Sequence, residues 1–81
     1  MITKVREEIL KAYDFSVENN MSDSIIRLYI LGEDDIDIWK EKGFFYYSIG
    51  FCKYGELEGL LDDLCKDIES NNYVVTNVEI E

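Results

Sequence analysis

Apolar residues recur along the chain in two rhythms, one of about 3.6 residues and one of two, and the switches between them mark the elements. From Ile2 to about Asn19, the residues Ile2, Val5, Ile9, Ala12, Tyr13 and Val17 fall near one side of a helical repeat, which predicts a first helix. Asn19, Asn20, Ser22 and Asp23 follow as a loop of turn-favouring residues. The pattern then alternates. Ser24 to Leu31 reads as a strand with Ile26, Leu28 and Ile30 toward a core and Arg27 and Tyr29 on the other side. After the turn Gly32-Glu33-Asp34, a strand from Asp35 to Lys40 sets Ile36 and Ile38 against Asp35, Asp37 and Trp39. After Glu41-Lys42-Gly43, the longest strand is expected over Phe44 to Cys52, with Phe45, Tyr47, Ile49 and Phe51 on one face. Gly50 within it signals a bulge or a close backbone approach.

The helical rhythm returns at Leu57, Leu60, Leu61, Leu64, Cys65 and Ile68, and Ser70-Asn71-Asn72 closes that second helix. Tyr73 to Ile80 is a last strand with Val74, Val78 and Ile80 on one side. The expected class is therefore α+β, in the order α-β-β-β-α-β. An antiparallel sheet of three to four strands would carry two helices on one face, because alternating strands need burial on one side only. At 81 residues the chain has room for a single domain, 1–81, with one core.

Charge changes the picture from fold to surface. The chain holds 18 acidic and 8 basic residues and no histidine, for a net charge of -10. Such a molecule repels nucleic acid and anionic membrane and attracts basic surfaces. The imbalance is uneven, since residues 1–11 carry a side-chain charge of +1 and residues 33–81 carry -9. On the second helix the solvent side bears Glu56, Glu58, Asp62, Asp63, Asp67 and Glu69 against Lys66 alone. Asp62 is spaced to pair with Lys66, while Asp63 and Asp67 repel at the same spacing. Gly59 adds a penalty of roughly 1 kcal/mol inside the helix, so burial of the leucines must hold it together.

The catalytic inventory is thin, and the expectation is a protein that is not an enzyme. Nucleophilic catalysis needs an activated nucleophile beside a base, and histidine is absent. Cys52 and Cys65 lie within apolar patterns, where a thiol keeps its proton. A buried reduced pair is the plain expectation, with a disulfide between strand and helix left open. No Cys-x-x-Cys spacing is present, and Glu33-Asp34-Asp35 with Asp37 lacks the order of a calcium loop, so neither metal nor cofactor is expected. With no cationic leader and no apolar run near the roughly 18 residues that span a bilayer, a cytoplasmic location is expected.

Two surfaces remain as binding candidates. One is aromatic: Tyr29, Trp39, Phe44 and Tyr46 fall opposite the expected core, as a protein-binding face or a homodimer surface would require. The other is acidic: Glu33, Asp34, Asp35, Asp37, Glu58, Asp62, Asp63, Asp67 and Glu69. Carboxylates three or four residues apart on a helix lie about 5–6 Å from each other, comparable with phosphates along a nucleic-acid strand. A rigid scaffold bearing them would fit the cationic groove of a basic nucleic-acid-binding protein. Simple solubility is the competing explanation, although -10 exceeds the magnitude of roughly 2–8 that a small domain needs.

The leading helix, the strand start Asp23-Ser24-Ile25-Ile26-Arg27-Leu28-Tyr29-Ile30, the acidic turn, the meander and the acidic helix together resemble the small acidic anti-CRISPR proteins of phages. That resemblance implies an inhibitor of a CRISPR nuclease, in some cases one that takes the place of its target DNA. The final strand after the second helix departs from the pattern. An immunity or antitoxin-type protein that neutralises a basic toxin, and a homodimeric structural or regulatory module, are the alternatives.

Overall fold

A computed structural model of the chain describes residues 2–21 and 23–81, so Ser22 of the first loop lies outside the described residues. The elements are α1 (Ile2–Glu18), β1 (Ile26–Ile30), β2 (Ile36–Glu41), β3 (Phe44–Tyr47), α2 (Leu57–Ser70) and β4 (Val75–Ile80). The strands form one sheet in the order β3-β2-β1-β4, with every neighbouring pair antiparallel. This is the expected α+β arrangement. The β2–β3 connection is a two-residue turn in which Lys42 (φ 51°) and Gly43 (φ 84°) both adopt positive φ. That backbone twist matches the twist of the flanking strands, so the turn holds the hairpin in register.

One side of the sheet is buried. Ile26, Leu28, Ile30, Ile36, Ile38, Phe45 and Tyr47 meet Ile9 of α1 and the stripe Leu57, Leu60, Leu61, Leu64 and Ile68 of α2. Leu60, Leu61 and Leu64 are wholly inaccessible, which explains how α2 tolerates Gly59 and its repelling acids. Cys65, expected in that stripe, lies at its margin and is only partly buried. In α1 the core position is Ser16 rather than Val17, which is exposed. Seven residues bring Ser16 back under Ile9 after nearly two turns, whereas Val17 is rotated a further 100° or so toward solvent. The Ser16 hydroxyl is satisfied by donating to the Tyr13 carbonyl at 2.7 Å.

The third strand is shorter than its alternation suggests. It ends at Tyr47, the Gly50 N–H donates to the Tyr47 carbonyl at 3.0 Å, and the chain turns back. Phe45 then pairs with Tyr54 through two backbone bonds of 2.8 and 3.0 Å. Ile49 and Cys52, expected on a core strand, are exposed, and Phe51 is fully so. The two cysteines are free, and the expectation that both are buried fails at Cys52. Gly50 does mark a close approach, because a Cβ there would sit 2.6 Å from Cε1 of Tyr47. In β4 a register shift opposite Tyr29 and Ile30 makes Thr76 an extra residue. The bulge reverses side-chain parity, so Val75 packs toward the core in place of the expected Val74.

The two glycines predict opposite responses to the same substitution. Gly50→Ala forces a methyl group into the Tyr47 ring and is expected to destabilise by about 1–3 kcal/mol. Gly59→Ala meets only an ordinary contact at 3.7 Å from Tyr54 and is expected to stabilise by roughly 0.5–1 kcal/mol. Urea unfolding of both variants checks the signs.

Candidate functional site

With both helices on one side, the opposite face of the sheet carries Arg27, Tyr29, Asp37, Trp39 and Tyr46, each partly exposed. The register sets Arg27 between Asp37 on β2 and Glu79 on β4. Its Nε and Nη2 donate to the two oxygens of Asp37 at 2.8 and 3.2 Å. Nη1 lies 3.5 Å from Glu81 Oε1, and Nε lies 3.9 Å from Asp35 Oδ2. The hydrogen bond to Asp37 is the largest influence raising the Arg27 pKa. Three carboxylates thus converge on one guanidinium, which leaves this cluster negative.

The aromatic set is divided by the same register. Trp39 and Tyr46 are cross-strand partners whose rings stack at 5.7 Å and 15°. Tyr29 belongs with the Arg27 cluster instead, where its hydroxyl donates to Glu81 at 3.3 Å. Burial, and then the Glu81 charge, raise its pKa. Phe44 lies beneath the Lys53 ammonium, which is 4.3 Å from the ring centroid. Tyr29, Trp39, Phe44 and Tyr46 therefore share the open face, Trp39 and Tyr46 as a stacked pair and Tyr29 and Phe44 each against a charged group.

The carboxylates of α2 are engaged along both flanks of the helix. On one flank, Glu58 and Asp62 accept from Arg6 of α1 at 2.6 and 3.0 Å. Asp62 is bonded across to the other helix rather than to Lys66. These bonds, with Glu58 contributing most, raise the Arg6 pKa. On the other flank, Asp63 accepts from the Tyr54 hydroxyl at 2.7 Å and Asp67 from the Tyr47 hydroxyl at 2.6 Å. Glu69 is exposed near the end of α2, and Glu33 and Asp34 project from the turn between β1 and β2. Burial pushes the Cys65 thiol up, so it stays protonated at neutral pH.

The nine acids singled out from the sequence thus occupy three regions: the β1–β2 turn, the Arg27 cluster and the two flanks of α2. Arg6, Arg27, Tyr47 and Tyr54, which orient them, and Glu81, which shares Arg27 with Asp35 and Asp37, were not singled out as site residues from the sequence. Arg27 carried the clearest signal, as a cation inside an otherwise apolar strand facing the acidic second strand. No group of three or more His, Cys, Asp or Glu side chains is arranged to hold a metal ion among the described residues. No helix among them is long and apolar enough to cross a membrane. No protein-family model, curated protein or solved structure matches the chain.

Tyr47 ties the acidic flank to the core. Its pKa is raised far above the ordinary tyrosine value, first by burial and then by its bond to Asp67. A raised folded-state pKa means that this contribution to stability is complete below about pH 10, the unfolded value, and is lost as pH climbs beyond it. Tyr47→Phe is expected to cost about 1–2 kcal/mol at neutral pH, for the loss of a hydrogen bond to a charged acceptor. It should also flatten the alkaline decline, as read from urea unfolding at pH 7 and above pH 10.

Proposed function

We propose that this protein is a small acidic binding protein that acts as an inhibitor by occupying the cationic nucleic-acid groove of a nuclease. The anti-CRISPR type, working as a DNA mimic or a steric block in a phage context, is the specific form we favour. The observation that carries this proposal is that each engaged arginine is outnumbered by its carboxylates. Arg6 is shared by Glu58 and Asp62, and Arg27 by Asp35, Asp37 and Glu81. Asp63 and Asp67 are oriented by neutral tyrosine hydroxyls, which fix their direction without cancelling their charge. Carboxylates held in this way avoid part of the ordering cost of binding, and they keep the long-range field that speeds encounter with a basic surface. The protein contributes no catalytic step on this view. An immunity-type protein acting on a basic toxin would use the same surface and differ in its partner alone.

Glu33 and Asp34 are the acids with which to test the proposal, because both are exposed on the β1–β2 turn and neither is paired with Arg6 or Arg27. Capture from host lysate at low and high salt, followed by competition with nucleic acid, should yield a nucleic-acid-binding protein released by salt. Glu33→Lys with Asp34→Lys should slow its association by about tenfold while leaving the unfolding midpoint in place. Capture of no salt-sensitive partner, or an unchanged association rate with the captured one, would count against the proposal. Asp62→Lys is a poorer probe, since it sets a second cation beside Arg6.

A further inference from the structure

The two edges of the sheet are finished differently. Outside β3, the chain returning from Gly50 closes the edge, with Phe45 and Tyr54 exchanging backbone bonds of 2.8 and 3.0 Å. At the other side of the sheet the terminal strand is β4. Glu81 exchanges backbone bonds with Ile25 at 2.7 and 3.4 Å. Antiparallel alternation therefore turns the N–H and C=O groups of Asn77 and Glu79 toward β1, and those of Val78 and Ile80 outward. The Val78 N–H is covered by its neighbour, the Asn77 side-chain oxygen at 3.0 Å, and the same carboxamide donates to Glu79. A side-chain cover of this kind can be displaced by a strand, whereas the isolated backbone bridge at β3 is made by the chain itself.

Beside this edge, a groove of about 570 Å³ runs between β4 and α1. Ala12, Val78 and Ile80 contribute apolar surface to it, and Phe15 stands on its wall with 53% of its surface exposed. Glu8 and Lys11 of α1 and Asn77 and Glu79 of β4 also line it. On the open face of the sheet, the side chains that follow the edge are Asn77 and Glu79, with Glu81 beyond them beside Arg27. One side of an added strand would meet apolar surface and the other would meet carboxylates.

We infer that the β4 edge accepts an extended strand from a cationic partner, one that alternates apolar residues over the α1 groove with Lys or Arg over the open face. This rests on the proposal that the partner is basic and adds the element of that partner that docks. Backbone pairing to Val78 and Ile80 would supply affinity, and the two unlike faces would supply the register. A second copy of this chain fits less well. Pairing two β4 edges would bring together two acidic rows from molecules that each carry a net charge of -10.

The test uses the isotope-labelled full chain and a short peptide of alternating Val and Lys, with a version N-methylated on alternate residues as the control. Hydrogen exchange at Val78 and Ile80 is expected to slow by at least about tenfold when the peptide binds, and N-methylation should weaken binding by a similar factor. Salt-sensitive binding without protection of these two amides would overturn the edge inference while leaving the acidic-surface proposal standing. Absence of salt-sensitive binding would overturn the inference and count against that proposal as well. Concentration-dependent protection in the peptide-free protein would assign the edge to a second copy and overturn the inference. Ile80→Pro removes an outward N–H that β1 does not use. The folded variant is expected to lose peptide affinity by about tenfold, and unchanged affinity would again overturn the inference.

Discussion

A four-stranded sheet with two helices on the same side has one face that the chain itself cannot cover, and much of this structure follows from that constraint. The buried face is solved by area: aliphatic and aromatic side chains from three strands close on the stripe of α2 and on Ile9 of α1. The open face must be satisfied by other means. Arg27 does so at its centre, binding Asp37 through two nitrogens and drawing in Asp35 and Glu81. Trp39 and Tyr46 cover apolar area by stacking on each other across the β2–β3 ladder. The face that results is partly apolar and, around Arg27, negative.

The second helix links this surface to the core. Its leucines anchor it, and its two acidic flanks reach outward to different elements, Arg6 on α1 and the tyrosines Tyr47 and Tyr54 on the β3 side. Tyr47 belongs to both worlds, with its ring in the core and its hydroxyl on Asp67. Carboxylates on an isolated helix would splay from one another; here each flank has a donor that sets its direction. The charge remains because two acids share one arginine and the other two are held by neutral hydroxyls.

The returning loop after β3 makes the sheet asymmetric. Gly50 lets the chain pass close over the Tyr47 ring, and this brings Tyr54 back to pair with Phe45. One edge is thereby sealed and the other is left with a side-chain cover. Unpaired strand edges expose a protein to unwanted pairing, and acidic side chains beside β4 disfavour pairing with a second acidic edge. On the proposed function, the charge of the molecule and its open edge would select for the same kind of partner.

Element order, fold class, the inward residues of β1 and β2 and the leucine stripe of α2 were all legible in the sequence. They depend on periodicity, and burial follows periodicity wherever an element runs straight. Three departures lie where tertiary contacts interrupt a local rhythm. Phe44 to Cys52 alternates like one strand, but contact between Gly50 and Tyr47 ends it early and leaves Phe51 in solvent. The bulge at Thr76 exchanges Val74 for Val75 at the core, since a single extra residue reverses every side chain beyond it. Val17 gives way to Ser16 because α1 meets the core along a line that its local apolar pattern does not specify. The acidic residues were visible as a set, but their donors were not. Arg6 lies 52 and 56 positions from Glu58 and Asp62, and Tyr47 lies 20 from Asp67. Composition and local spacing determined how much negative charge the protein carries; only the packing of helix on helix and helix on sheet decided where that charge is held and which edge is left open.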